Sequence, residues 1–494
     1  MMKGQNAIEF LFTYALLVII LTAVIGVVFI LFTAANSQIP PTCTFNGGFT
    51  CSYAVYTVNA TNGGKGSQFL IIATDTQPGI INVTNVIVAI GNYQSSGGYC
   101  VPNIATAGQN IYCVASLGYT PTIGSVYVGT FNITANYCPQ KAAQLYNYSC
   151  PGVGNYTYGG LFQAQAANLS LGRGGYFLPI NVINTAPQQV NARTDLLVNF
   201  PTSSYTAYES NDLGNIRFYD GGRELDSWCD SGCSSGSSNT VFWIATDRII
   251  PVNGQITIDA YFLPLDVEYD GVFAGEAPQL SVDYGVYDNG GNVFPFYDNF
   301  KGNALGSKWT ILSPSNVIVN VSNGAEIKEN TAAGQYGGIY SSFSPSGNVF
   351  VISYLDAISP SSGIVNFLGY GTGGGSTAPS SGFGIDAGSG SGTSVSSWSA
   401  GSESQISTVA DSFTSNALYK IKFSWTGSSL AANDITSGAS TSTSSAAYRL
   451  QQVTQTGVFS SGTAVYKVYW YSVVAAPPGG VMPTLVFGSA APVP

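Results

Sequence analysis

The sequence predicts a mainly β protein, in which an N-terminal hydrophobic α-helix precedes tandem β-sandwich or jelly-roll domains. Three observations predict it. From Phe10 to Ala35 no residue is charged, a run of 26 positions. In a helix that run spans roughly 39 Å, against a bilayer hydrocarbon core of ~30 Å. Past Pro40-Pro41 no long 3.6-residue periodicity recurs, and short runs rich in Val, Ile, Tyr and Thr alternate with Gly, Pro and Asn. That is the pattern of strands and turns. More than 450 residues follow Ala35, too many for one sandwich and enough for two or three domains.

Composition narrows the function. Only 8% of residues are charged, against about 25% in ordinary domains. There are 59 glycines and no histidine, and the net charge is −10. Nucleic acid is excluded as a partner, because no basic stripe supplies phosphate contacts. Disorder is excluded too, since 45% of residues are hydrophobic and 13% aromatic. Without histidine, Ser-His-Asp, Cys-His and His-ligated metal chemistries are absent. A surface this poor in charge depends on hydroxyls, amides and glycans for solubility.

Lys3 and Glu9 bracket a short polar stretch. A secretory signal has an apolar core of only ~7–15 residues before a small-residue cleavage site. Here the run is longer, and Glu9 stands at its front edge, where a charge in a membrane marks a specific partner. Lys3-Gly4-Gln5 with Glu9-Phe10 resembles the class III signal peptide of archaeal type IV pilins. The resemblance implies a leader of residues 1–4, cut by a prepilin peptidase between Gly4 and Gln5. It implies a retained helix over 5–40 that packs with copies of itself, or with other pilins, into a filament at the cell surface. The precursor would sit in the membrane. Glu9 would neutralise the new amine of Gln5 in its own helix or a neighbour's. The same residues also fit a plain signal anchor, and Sec-type cleavage near Ala34-Ala35 is a third reading.

Residues 41–172 read as a β domain tied by disulfides and carrying glycans. Its strand-like runs include Phe69–Ala73, Ile80–Ile90 and Gly124–Ile133. An even count of cysteines beyond a membrane helix reads as bridges: Cys43, Cys51, Cys100, Cys113, Cys138, Cys150, Cys229 and Cys233. Eight cysteines allow 105 pairings. Cys229–Cys233 is isolated from the rest, and Cys43–Cys51, Cys100–Cys113 and Cys138–Cys150 each bracket a turn. Zinc is disfavoured, because its sites need four clustered ligands. Asn59, Asn82, Asn132, Asn147, Asn155, Asn168 and Asn320 each open an Asn-X-Ser/Thr triplet, the acceptor for N-linked glycans. Six of the seven precede residue 172, which marks this domain as the externally exposed, glycosylated one.

Residues 173–294 show strand alternation in Leu178–Val182, Leu196–Phe200, Asn215–Asp220, Glu224–Trp228, Val241–Ile244 and Ile256–Phe262. With Ile216-Arg217-Phe218-Tyr219-Asp220 and the following Trp228, the stretch resembles a β-sandwich family of unknown function from secreted bacterial and archaeal proteins. That family's module is often followed by a concanavalin- or laminin-G-like jelly roll, which the resemblance places here at residues 295–475. Phe296–Gly302 with Trp309 resembles its opening strand, and Ala464–Trp470 its closing one. First and last strands of such a fold commonly pair. The Gly/Ser/Thr-rich stretches 371–404 and 426–447 are long loops or polar strands. A Pro/Gly-rich tail, 476–494, contains Pro483–Phe487 as a candidate edge strand.

No catalytic constellation emerges, and no enzyme activity or resident cofactor is expected. Asp266-Val267-Glu268-Tyr269-Asp270 would put three carboxylates on one face of a strand, a candidate Ca²⁺ site or carboxylate pair, beside the simpler reading of a solvated loop. Trp398 lies in a Ser/Gly-rich stretch and is the aromatic expected to be exposed as a glycan-stacking platform, whereas Trp309, Trp425 and Trp470 follow strand periodicity. The reading is a cell-surface, pilin-like structural and adhesive subunit. The alternative is a membrane-anchored receptor for surface glycans or proteins, with a carbohydrate-active enzyme behind it.

Overall fold

The computed structural model describes residues 42–57, 67–139, 154–167, 176–329, 336–361, 363–372, 379–389, 392–399, 402–426, 429–444, 455–461 and 463–492. Gly4, Gln5, Glu9 and the hydrophobic segment lie outside the described residues, as do Cys150, Asn59, Asn147 and Asn168. Among the described residues no helix is long and apolar enough to cross a membrane. The chain divides between Leu171 and Gly172 into two compact units. Both are built mainly of antiparallel strands, with apolar and polar residues alternating along each.

The first unit is one ten-stranded sheet folded around its own core. Asn155–Ala167 runs antiparallel to Val126–Pro139, from Asn155↔Asn136 to Gln165↔Val126. Its last residues turn to pair in parallel with Tyr56 and Thr57, which joins the two halves of the sheet. Alternate residues then face each other across the interior, with Phe69, Phe131 and Phe162 at its centre. Phe69 and Phe162 lie 4.0 Å apart. Two bridges lie wholly among its described residues. Cys43–Cys51 joins the first two strands, and Cys100–Cys113 joins residues directly opposite in register. Cys138 is also disulfide-bonded.

The second unit is a stack of four sheets. A six-stranded sheet centred on Tyr176–Ile183 and Gln255–Phe262 packs on a four-stranded sheet centred on Thr240–Ala245. Leu178, Ile180 and Val182 from one meet Leu196, Val198 and Phe200 from the other. The four-stranded sheet is buried on its other face as well. There Trp228 and Trp243 meet Phe350, Ile352, Trp470 and Val474 of the eight-stranded sheet that opens the C-terminal sandwich. Trp228 and Trp470 cross edge to face at 5.1 Å. A seven-stranded sheet closes the stack, with Val351, Leu355, Ile421 and Tyr471 packed against Ile339, Ile364, Leu368 and Ile385.

Two connections make this stack one body. The opening strand Phe296–Asp298 pairs with Val465–Ala475 through Phe296↔Val473, as the aromatic ends of the module foretold. The chain then leaves that module and returns: Thr484–Phe487 adds an edge strand to the earlier sandwich through Ile180↔Phe487. Phe487 packs edge-on against Phe200. The tail is therefore part of the 173–294 sandwich, and the C-terminal sandwich is an insertion between two of its strands. The Gly/Ser-rich stretches form hairpin strands, Pro379–Gly388, Gly392–Ser399 and Ser402–Val409.

Candidate functional site

A cleft of about 710 Å³ opens where the two sandwiches of the second unit meet. One wall is the loop 184–194. The buried Asn184 side chain shapes it, donating to the carbonyls of Gln188 (2.8 Å) and Pro251 (3.0 Å) and accepting from the Ala186 amide (2.9 Å). Val190 pairs with Ile250 beyond it. This leaves Gln188 and Asn191 exposed at the rim. Arg193 adopts a left-handed backbone, φ 62°, held by its amide to the Thr246 carbonyl at 2.7 Å. Its guanidinium bonds Asp226 (3.1 Å) and the Asn292 carbonyl (2.9 Å).

The opposite wall is the turn Phe343–Val349 with Ala475, Ala476 and Pro478. Asn348 fixes it, donating from Nδ2 to the Pro477 carbonyl at 3.2 Å and accepting from the Ala476 amide at 3.0 Å. Phe343 rests on Phe296 at 5.1 Å between ring centres. Behind the walls the buried Asp195 accepts the Ala475 amide at 2.8 Å, and burial holds its pKa well above the usual carboxylate range.

The lining mixes amides, hydroxyls and one arginine with prolines, Phe343 and small aliphatic residues, with no Asp or Glu among the cleft residues. Such a surface can donate and accept hydrogen bonds to a neutral polar ligand. It offers no carboxylate pair of the kind glycoside hydrolysis uses, and no oxygen cage for a hard cation.

The residues singled out from sequence fall elsewhere. Trp398 is 2% exposed, which corrects its reading as an exposed platform. It stands on a regular strand opposite Gly382 and Glu403, packed against Phe459 at 5.7 Å. A stretch that reads as loop is thus a strand with its large side chain buried. Trp309 and Trp470 are buried as well. The carboxylates 266–270 do not lie on a strand either: a turn at Pro264 carries the chain into irregular structure. Asp270 accepts the amides of Val272, Phe273 and Ala274, and Glu268 accepts the Tyr287 hydroxyl at 2.7 Å. Each serves a separate local contact. Among the described residues no group of three or more His, Cys, Asp or Glu is placed to hold a metal.

Cys229–Cys233 is bridged. Asn82, Asn132 and Asn155 lie on strands of the first unit and Asn320 on an exposed strand of the second. Sequence reasoning missed the cleft, because its two walls lie about 150 residues apart; the Asn184–Thr194 loop carries no motif. The one available signal was the Pro/Gly/Asn density of both segments.

No family model matches the chain. A stretch of 79 residues, 16% of the chain, is 40% identical to an uncharacterised protein of Sulfolobus islandicus rod-shaped virus 1, of whose length it spans 13%. Among solved structures, a carbohydrate-binding module from Bacillus subtilis is 12% identical, over 34% of this chain and 95% of its own, with a TM-score of 0.27. A β-1,3-glucanase from Mycobacterium marinum is 15% identical, over 36% and 98%, with a TM-score of 0.27. A galectin-like protein of unknown function from Bacillus subtilis is 7% identical, over 37% and 97%, with a TM-score of 0.30. Scores at this level carry no functional argument.

Proposed function

We propose that this chain is a cell-surface binding protein that recognises neutral glycans through the cleft between its two C-terminal sandwiches. The observation that carries the reading is a cleft whose polar lining is amides and hydroxyls with no carboxylate, and whose one charged group, Arg193, is already engaged by Asp226. A polysaccharide is the polymer such a surface suits: hydroxyl-rich, uncharged and able to lie along an open groove. Binding, and not hydrolysis, is the activity this lining supports.

Affinity electrophoresis of the full chain through gels cast with neutral polysaccharides tests it. Retardation by at least one polysaccharide, lost in the Gln188→Ala/Asn191→Ala variant and without release of reducing ends, is the expected result. Unchanged mobility in every gel would end this reading.

The hydrophobic segment would hold the receptor at the surface. A second reading, a pilin-type filament subunit, rests on Lys3-Gly4-Gln5 with Glu9-Phe10. A mature N-terminus at Gln5, recovered by mass spectrometry from sheared filaments, would favour it. An uncut Met1 found only in membranes would favour the anchor. Prepilin peptidase and other copies of the chain are partners on the filament reading alone.

A further inference from the structure

Three sequons from three adjacent strands of the first unit converge on one outer sheet face. Asn82 stands on Gly79–Ile90, Asn132 on Val126–Pro139 and Asn155 on Asn155–Ala167. In register, Asn136 lies between Asn82 and Asn155, and Asn132 sits on the same face two pairs along. Residues i and i+2 of a strand share a face, so Thr134 stands beside Asn132 and Thr157 beside Asn155. Asn132 and Asn155 are exposed and Asn82 half-buried. Gly159 is the partner of Asn132 across the strands, and a Cβ there would lie 3.1 Å from the Asn132 Oδ1. The glycine keeps the space beside that amide open.

This face also lacks what an exposed sheet ordinarily has. Among the described residues of the first unit, Asp75 is the single Asp, Glu, Lys or Arg, and it is buried. Beside the sequons, Val128 is 66% exposed and Leu161 60%. An uncharged sheet with open apolar side chains invites association. A hydrophilic cover would prevent that, and the sequons sit where a cover would be attached.

We propose that this face is N-glycosylated, at Asn132 and Asn155 first, and that the glycans cover the stripe formed by Val128 and Leu161. In the transfer the Asn Nδ2 bonds to the anomeric carbon of an oligosaccharide activated on a lipid phosphate. The anomeric carbon–oxygen bond to phosphate breaks, the amide gives up one proton, and the lipid phosphate leaves. No redox partner is needed. The chain is the acceptor, and the modification is independent of what the cleft binds.

The test is mass spectrometry of chymotryptic peptides from the full chain isolated from the cells that make it; Lys65, Lys141 and Arg173 leave trypsin too few sites. The peptides spanning Asn132 and Asn155 should carry the same added glycan mass. Thr134→Ala should abolish it at Asn132 and leave it at Asn155, and Thr157→Ala the reverse. The Thr134→Ala/Thr157→Ala double variant should sediment as a larger species than the parent, and adding Val128→Lys and Leu161→Lys should restore the parental size. Recovery of both peptides at unmodified mass would overturn the proposal. A double variant of parental size would overturn the covering role.

Discussion

The Ala475 amide donates to the Asp195 carboxyl at 2.8 Å, joining residues 280 apart in sequence. Asp195 starts the strand whose alternate residues build the first sandwich core, and Ala475 ends the last strand of the inserted sandwich. The contact lies just behind the cleft. Burial favours the neutral carboxylic acid there, because the water lost by the ionised form outweighs what the Ala475 amide and the nearby Arg193 charge return. Asp195→Asn keeps an acceptor and removes the titration, so its melting temperature at pH 8 should equal or exceed that of the parent. Asp195→Ala should cost about 1–3 kcal/mol, the range for stranding a buried partner. A loss in Asp195→Asn as large as in Asp195→Ala would show that the charge itself is needed.

Acid should stabilise this protein. Burial raises Asp75, Glu209 and Glu276 to about 7 and Asp259 to about 6. Each folded value lies above its unfolded one near 4, so the folded state holds protons more tightly. That contribution is fully present below the unfolded pKa and is lost as pH rises through 6 to 7. No histidine opposes it. Lys422, which burial lowers to about 8, opposes it only as pH falls through 8, so its effect over this range is small beside that of four carboxyls. The denaturant midpoint should be higher at pH 4.5 than at pH 8; a midpoint that rises towards pH 8 would refute this.

Arg217 should be the costliest surface-seeking residue to remove. It is 1% exposed, donates to the carbonyls of Gly214, Ile216 and Glu268, and pairs with Glu224 at 3.3 Å. Arg217→Ala strands the buried Glu224 and should cost roughly 3–5 kcal/mol. Arg217→Ala/Glu224→Gln should recover part of that loss in urea denaturation. Lysine will not substitute, since it lacks the planar fork that reaches three carbonyls.

Trp398→Ala should act on stability and leave binding alone. The indole is buried against Phe459 beside Gly382, so its removal opens a cavity costing about 3–5 kcal/mol. Thermal melting and affinity electrophoresis of the same preparation separate the two effects. Lost binding with an unchanged melting temperature would return Trp398 to the role of a ligand contact.

The strands were legible where alternation was strong. Leu178–Val182, Leu196–Phe200 and Ile256–Phe262 all form strands, because one face of each must be apolar. The pairing of Phe296 with Val473 was legible for the same reason. Trp398 was misjudged because the small residues around it make a strand look like a loop. The four-sheet stack escaped notice because the second face of Thr240–Ala245 is covered by Phe350, Trp470 and Val474, more than 100 residues away. The cleft escaped for that reason too. Its polar residues are ordinary in type, and only the packing of one sandwich on the other brings them together.

The measurement closest to the central claim is a glycan array probed with the full chain and with Ser346→Trp, which places a bulky ring in the cleft wall. The account predicts that the parent binds a subset of neutral glycans and that Ser346→Trp, folded by its melting curve, loses them at least tenfold. Equal binding by both proteins would place recognition elsewhere and contradict the account.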